Sequence, residues 1–363
     1  MERTFNTAGP SEPDDHYCID PLTRLDFGQI RDFVDAKQYF VLRAPRQTGK
    51  TTTLLAMMSA LNADGRYACV YASVEKARDA CGDGGRDITA VCDAIAAAID
   101  VHTPGHAMSA WMQTEGRRYL PVGRLSDLLR HWARVAGKPV VLLLDDIDAL
   151  VEDAVFSMRH QIRSHFHDRP DDFPQSIAFS GVHDIRTHYR MHLDDGQVYA
   201  GVTPFNITAA SLRMGDFTEA EVRELWGQHT AETGQVFDDA IWPELWADTA
   251  GQPWLVNALG RQVTWLDETK RDRHLPIALT DYQIARERLI LRRDTHLDQL
   301  ADKLREPRVH RVISALLAGD TETMRVRPGD IDYVDDLGLI APRPGVRIAN
   351  RIYQEIIPRR LAL

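Results

Sequence analysis

The chain has 363 residues, too many for one small domain, and predicts two or three. Its composition, 44% hydrophobic, 26% charged and 8% aromatic, excludes collagen-like, low-complexity and wholly disordered chains. The 53 acids outnumber the 43 bases for a net charge of −10, which excludes a generic nucleic-acid coat but not a local basic face.

Met1 to His16 is polar, carries Asp14 and Asp15, and lacks the apolar core of a signal peptide, so residues 1–16 predict a flexible arm. Tyr39-Phe40-Val41-Leu42 predicts a short buried strand. A polar turn, Ala44 to Lys50, leads into a helix marked by Leu54, Met57, Met58 and Leu61, and Asn62-Ala63-Asp64-Gly65 stops it. Ala68 to Val74 predicts a second strand. Amphipathic helices follow through Ile88 to Ile99, with Asp87 as N-cap, and through Leu125 to Val135. Val140 to Leu144 is the clearest strand, and the longest apolar run, Pro139 to Leu144, is far too short to cross a bilayer. A long helix then leads to a further strand at Ser176 to Phe179. Strands alternating with helices predict an α/β fold with a parallel sheet covered on both faces.

Near residue 210 the pattern turns almost wholly helical. Thr218 and Glu221 form a capping box, and Gly251-Gln252-Pro253 separates two helices. Near the end, helices at about 309–317 and 330–337 precede Leu339-Ile340 and Val346-Arg347-Ile348, which flank Pro342-Arg343-Pro344-Gly345 as a hairpin would. Two helices and a hairpin are the shape of a winged-helix domain. Cys18, Cys69, Cys81 and Cys92 form no CxxC pair, so a reduced cytoplasmic protein with free thiols is expected.

The sharpest signal is Pro45-Arg46-Gln47-Thr48-Gly49-Lys50-Thr51-Thr52, between a buried strand and a helix. Successive backbone N–H groups in such a loop wrap phosphates, and the helix N-terminus adds a favourable dipole. Gly49 lets the backbone approach, Lys50 would reach the β- and γ-phosphates, and the Thr51 hydroxyl would ligate Mg²⁺. Ala44 stands where such loops usually begin with glycine, which is tolerable if that position does not need a positive φ. About 95 residues on, the strand Val140 to Leu144 ends in Asp145-Asp146-Ile147-Asp148. Asp145 would hold Mg²⁺ through its water shell, and Asp146 would orient or deprotonate the attacking water. Most enzymes with such a loop place Glu at that second position. Aspartate is one methylene shorter, so slow turnover is expected. Asp148 reads as a cap or structural hydrogen-bonder.

These segments, together with His16-Tyr17-Cys18-Ile19-Asp20-Pro21, Phe217-Thr218-Glu219, Gly251-Gln252-Pro253-Trp254-Leu255-Val256-Asn257, Asp294-Thr295-His296-Leu297 and Ile348-Ala349-Asn350-Arg351-Ile352-Tyr353, resemble AAA-like ATPases of the bacterial and archaeal STAND-like branch of the AAA+ P-loop superfamily. The resemblance implies a P-loop NTPase core at 17–209, an all-helical lid at 210–280 and a winged-helix domain at 281–363. It implies that Gly251 and Pro253 form the turn where the lid meets nucleotide, although any loop between helices explains both residues. Ser180 falls where a γ-phosphate sensor sits in such proteins. Arg186 and Arg190 are arginine candidates for sensing phosphate in their own subunit or a neighbour's. Arg261 is an outside candidate for a second sensor, and Tyr17 to Arg24 lies where relatives build the adenine pocket.

Residues 266–363 hold 18 Lys/Arg against 16 Asp/Glu, with Arg343, Arg347, Arg351, Arg359 and Arg360 around the expected hairpin and last helix. On a winged helix they would suit DNA phosphates. Asp330, Asp332, Asp335 and Asp336 argue against that, and a latch that folds back on the core is the favoured reading. The expectation is an ATP- and Mg²⁺-dependent switch that hydrolyses slowly, cycles between ATP and ADP, and controls a protein partner or homo-oligomer. The alternatives are a DNA-binding ATPase similar to initiators or transposition regulators, and a nucleotide-binding scaffold with little hydrolysis.

Overall fold

The computed structural model describes residues 2–80, 84–150, 152–183, 207–292, 302–319, 327–341 and 345–361. They form two compact units. One, the sheet unit, comprises 25–43 and 50–214. The other, the helical unit, comprises 1–24, 44–49 and 215–363.

In the sheet unit the elements run α1 (Phe27–Asp35), β1 (Tyr39–Arg43), α2 (Lys50–Ala63), β2 (Ala68–Ser73), α3 (Gly84–His102), α4 (Met108–Gln113), α5 (Pro121–Val135), β3 (Val140–Asp145), α6 (Glu152–Ser164), β4 (Ser176–Gly181) and β5 (Thr208–Arg213). The five strands are all parallel, in the order β2-β3-β4-β1-β5. Strand β3 is buried at every position, because both faces of a parallel sheet are covered by crossover helices. The register carries this through. Val70 lies opposite Leu142, Leu142 opposite Ile177 and Val41 opposite Phe179, so these side chains share one face. That face forms a core with α3, α5 and α6 through Ile95, Leu128, Trp132 and Met158. Phe40, Val141, Leu143 and Asp145 point the other way, where Phe33 of α1 meets Phe40 and Asn62 of α2 exchanges hydrogen bonds of 2.8 and 2.9 Å with the Cys69 backbone.

This parallel sheet flanked by helices is a P-loop NTPase α/β core, as expected. One strand was not foreseen. Thr208–Arg213 pairs with β1 at the sheet edge, so the boundary expected at residue 209 falls inside β5. Its sequence, Thr-Ala-Ala-Ser-Leu-Arg, has no apolar run, because an edge strand is buried less completely than a central one.

The helical unit continues with α7 (Glu219–Thr233), α8 (Ile241–Thr249), α9 (Pro253–Arg261), α10 (Leu279–Leu291), α11 (Pro307–Leu317), α12 (Pro328–Asp336), β6 (Ile340–Ala341), β7 (Arg347–Ile348) and α13 (Arg351–Leu361). The Thr218–Glu221 capping box opens α7 as predicted. Strands β6 and β7 pair antiparallel between α12 and α13. The division expected at 280/281 falls within α10, and residues 215–363 belong to a single unit.

Residues 2–16 correct an expectation. They are not a free arm but a folded part of the helical unit. Phe5 is 1% exposed, and its ring lies 5.0 Å from that of Tyr17 and 5.8 Å from that of Trp226. Thr4 bridges His16, and Arg3 pairs with Glu232 at 2.8 Å. Gly260 makes the seat, since a Cβ there would come within 2.7 Å of the Phe5 ring. One aromatic in a polar stretch leaves no periodicity to read, yet burying it anchors the whole segment. Cys18, Cys69 and Cys92 are free thiols, as expected, and Cys81 lies outside the described residues.

Candidate functional site

The loop from Ala44 to Gly49 leaves β1 and runs directly into α2, whose first turn carries no acid. Its backbone alternates hand. Gln47 (φ 58°) and Gly49 (φ 91°) are left-handed, while Ala44 is not, which explains why alanine serves there. Alternating hand of this kind is the backbone geometry of anion-binding nests. Within the loop the buried Thr48 hydroxyl donates to the Pro45 carbonyl at 2.7 Å. Arg46 and Gln47 are exposed, and Thr52 is half-buried in the first turn of α2.

Arg24, the last residue of the segment expected near an adenine pocket, braces this loop. Its guanidinium donates to the carbonyls of Thr48 and Gly215 and lies 4.6 Å over the Phe217 ring. Burial pushes its pKa down, against the opposing pull of Asp216 and Glu221. Phe217 in turn leads to the Gly251 turn. Its N–H donates to the Gly251 carbonyl at 2.9 Å, and a Cβ on Gly251 (φ 79°) would strike the Phe217 carbonyl oxygen at 1.9 Å. Pro253 opens α9 while the Gln252 side chain caps it by accepting from Leu255 N at 2.6 Å. Gly251 and Pro253 therefore join the phosphate loop through Phe217 and Arg24. The Gly338 turn after α12 also meets this loop, since a Cβ there would come 2.8 Å from Pro45 Cγ.

In the sheet unit the Thr51 hydroxyl donates to Asp145 Oδ2 at 2.9 Å. Asp145, fully buried at the end of β3, also accepts from the Tyr71 phenol at 3.3 Å and from the Asp146 N–H at 3.0 Å. Burial and the two nearby carboxylates push the Tyr71 pKa up, so it remains a donor. Asp146 follows in the left-handed conformation, and its carboxylate accepts from Ser73 Oγ at 2.8 Å. Burial, then the negative charge of Asp145, raises the Asp146 pKa, while Ser73 and the Lys50 ammonium pull it back. Tyr71 and Ser73 were missed. Their signal lay in register: Ser73 pairs with Asp145, and Tyr71 sits two residues before it on the same face.

Asp148 is the expected structural hydrogen-bonder, accepting from the Val182 and His183 N–H groups at the end of β4. Ser180 lies opposite Leu42 in the register, fully buried, with no hydrogen-bond partner among the described residues for its hydroxyl. Arg186, Arg190 and the segment Asp294 to Leu297 lie outside the described residues. Arg261, the outside candidate for a second sensor, donates to Thr7 Oγ1 at 2.8 Å, so it ties the N-terminal segment to α9. Tyr17 is buried against His229 in the helical unit. Among the described residues no group of three or more His, Cys, Asp or Glu gathers as a metal site, and no helix is long and apolar enough to cross a membrane.

No protein-family model matches the chain, and no curated protein matches it in sequence. Solved structures do match. The RuvB Holliday junction branch migration motor of Thermotoga maritima is 15% identical, covering 93% of this chain and 92% of its own, with a TM-score of 0.46. Cdc6p from Pyrobaculum aerophilum is 16% identical, covering 94% and 93%, with a TM-score of 0.47. A Walker-type ATPase of Pyrococcus abyssi is 12% identical over 98% of this chain and 99% of its own, with a TM-score of 0.62. Over nearly its whole length, the chain therefore shares the fold of a Walker-type ATPase.

Proposed function

We propose that the chain is a molecular switch of the AAA+, STAND-like type that binds ATP with Mg²⁺ on the Pro45–Thr52 loop and hydrolyses it slowly. The observation that carries this reading is the 2.9 Å contact between the Thr51 hydroxyl and the Asp145 carboxylate. A hydroxyl and a carboxylate in contact at the start of a helix suit Mg²⁺, which takes hard oxygen ligands and needs only one or two from the protein besides phosphate and water. The bound ion would neutralise charge developing on the phosphates. The nest of loop N–H groups would hold the β- and γ-phosphates, and Lys50 would add its charge. Asp146 would accept the proton of the attacking water, with Ser73 fixing its carboxylate. Ser180, buried and with no hydrogen-bond partner among the described residues, suits a γ-phosphate sensor.

The contact of Gly338 with Pro45 supports a latch role for the C-terminal helices over a DNA-binding one. So does the pairing of Arg351 with Glu244 and Asp248, and of Arg359 with Glu355, which satisfies charges that DNA would need. Nucleotide-dependent association with a protein partner or a second copy is the expected output.

The test is fluorescent-ATP binding with Mg²⁺, followed by phosphate release. Lys50→Ala should weaken binding about 10- to 100-fold, the loss of one charge-assisted contact. Asp146→Asn should keep binding and slow release by about 100-fold or more. Wild-type protein that binds no nucleotide, or Asp146→Asn with normal turnover, overturns the respective assignment.

A further inference from the structure

Away from the phosphate loop, the sheet unit holds a cavity of about 380 Å³ lined by Thr89, Asp93, Met112, Gln113, Arg117 and Arg124, on α3, α4, the short turn Gly116–Arg118 and the start of α5. That volume lies within the range of ligand pockets. Arg124 is pinned. Its Nη1 donates to Thr89 Oγ1 at 2.7 Å and its Nη2 to the Tyr119 carbonyl at 3.0 Å, while its Nε is buried without a partner among the described residues. Arg117 is exposed and makes no hydrogen bond or ion pair among the described residues. Arg118, by contrast, is taken by Glu115. Two arginines against the single Asp93 make this cavity positive in a chain of net charge −10.

The segment of chain that joins Arg117 to Arg124 forms an exposed apolar lip. Tyr119 is 41% exposed, and Leu120 and Val122 are each 73% exposed. Single exposed apolar residues are normal, but three within four positions, between two arginines that line the cavity, form a patch. The lip is held in place. Tyr119 anchors Arg124 through its carbonyl and stacks on Trp111, whose ring lies 4.5 Å from His131 at an interplanar angle of 9°.

We propose that this surface docks an acidic segment of a partner protein, placing a carboxylate between Arg117 and Arg124 and a large apolar side chain on Leu120 and Val122. Charge complementarity selects the acid, since a planar carboxylate matches a preoriented guanidinium fork. Free phosphate would use the arginines alone and leave the lip idle. A nucleic acid would meet Asp93 and three apolar side chains where it needs more cations. The partner is therefore a peptide with an Asp or Glu two to four residues from a Leu, Ile or Phe.

The experiment pans phage-displayed random 12-residue peptides on the full chain, then measures synthetic copies of the enriched peptides by fluorescence anisotropy. Enriched sequences should carry that acidic–apolar pairing. Arg117→Glu and Leu120→Ser should each weaken the peptide at least about tenfold, the scale of one charge-assisted contact or one buried apolar side chain. Both sites are exposed, so both variants should retain fluorescent-ATP binding. Arg124→Gln would also loosen Thr89 and Tyr119, so the two exposed variants decide. Enrichment without acids, or wild-type affinity in Arg117→Glu or Leu120→Ser, overturns the proposal. Full competition by inorganic phosphate with no effect of Leu120→Ser would reassign the cavity to a free anion.

Discussion

Asp146 has φ 62° and ψ 34°, a conformation that aspartate and asparagine tolerate better than most side chains. That gives a backbone reason for aspartate at this position. The site also holds this carboxylate at a cost. Its pKa is raised by burial and by Asp145, so the folded state binds protons more tightly than the unfolded chain. Stability should then fall as pH rises from the ordinary aspartate value, near 3.9, through the raised one, and stay lower above it. Asp146→Asn keeps the left-handed tolerance and the Ser73 contact but loses the charge. It should raise the melting temperature of the nucleotide-free protein at neutral pH and abolish that decline, by calorimetry across pH. Ser73→Ala removes a hydrogen bond that favours the carboxylate, so the acid limb of the hydrolysis profile should move up by about 1 pH unit, the equivalent of roughly 1 kcal/mol. An unmoved limb would separate Ser73 from the reacting group.

At the scale of elements, turns decide the site more than helices do. Gly251 is the sharpest case, with φ 79° and no room for a Cβ beneath the Phe217 carbonyl. Gly251→Ala should destabilise the helical unit by about 3 kcal/mol or more, through strain and a forced shift of Phe217, seen as an earlier urea transition. A fluorescent-ATP affinity lowered in parallel would show that Phe217 and Arg24 transmit the shift to the loop. The N-terminal segment behaves as an element too. Phe5→Ala should cost about 3–5 kcal/mol, the range for a buried aromatic, and expose residues 2–16 to limited proteolysis. A variant as stable and as resistant as wild type would return the segment to a free arm.

At the scale of the molecule, a fully buried carboxylate ties together distant parts of the helical unit. Asp248 on α8 accepts from the Tyr282 phenol at 2.8 Å and from Arg286 at 2.9 Å, both on α10, and from Arg351 on α13 at 2.6 Å. Asp248→Ala removes one carboxylate from two arginines, which keep Glu355 and Glu244, and leaves the buried Tyr282 phenol without its acceptor, so it should cost about 2–3 kcal/mol. Arg351→Ala leaves Asp248 satisfied by Arg286 and Tyr282, and its own side chain is 41% exposed, so its cost should be about 1 kcal/mol. Melting temperatures in that order support Asp248 as the junction, and equal losses would place it in Arg351. The arginines that made the C-terminal part look basic are thus partly consumed inside the protein.

Local chemistry alone made the phosphate loop legible. Gly49-Lys50-Thr51 must follow a buried strand and open a helix, and the apolar run Val140 to Leu144 must end in carboxylates, because those constraints act within a few residues. The parallel sheet and the capping box at Thr218 were readable for the same reason. What only tertiary structure decided depends on partners far apart in the chain. Arg24 found Thr48 and Phe217, Ser73 found Asp146 by strand register, Phe5 found the space that Gly260 leaves open, and β5 became a strand only because β1 offered it an edge. None of these residues carries a pattern in its own neighbourhood, since their roles arise from burial and pairing that the fold alone creates.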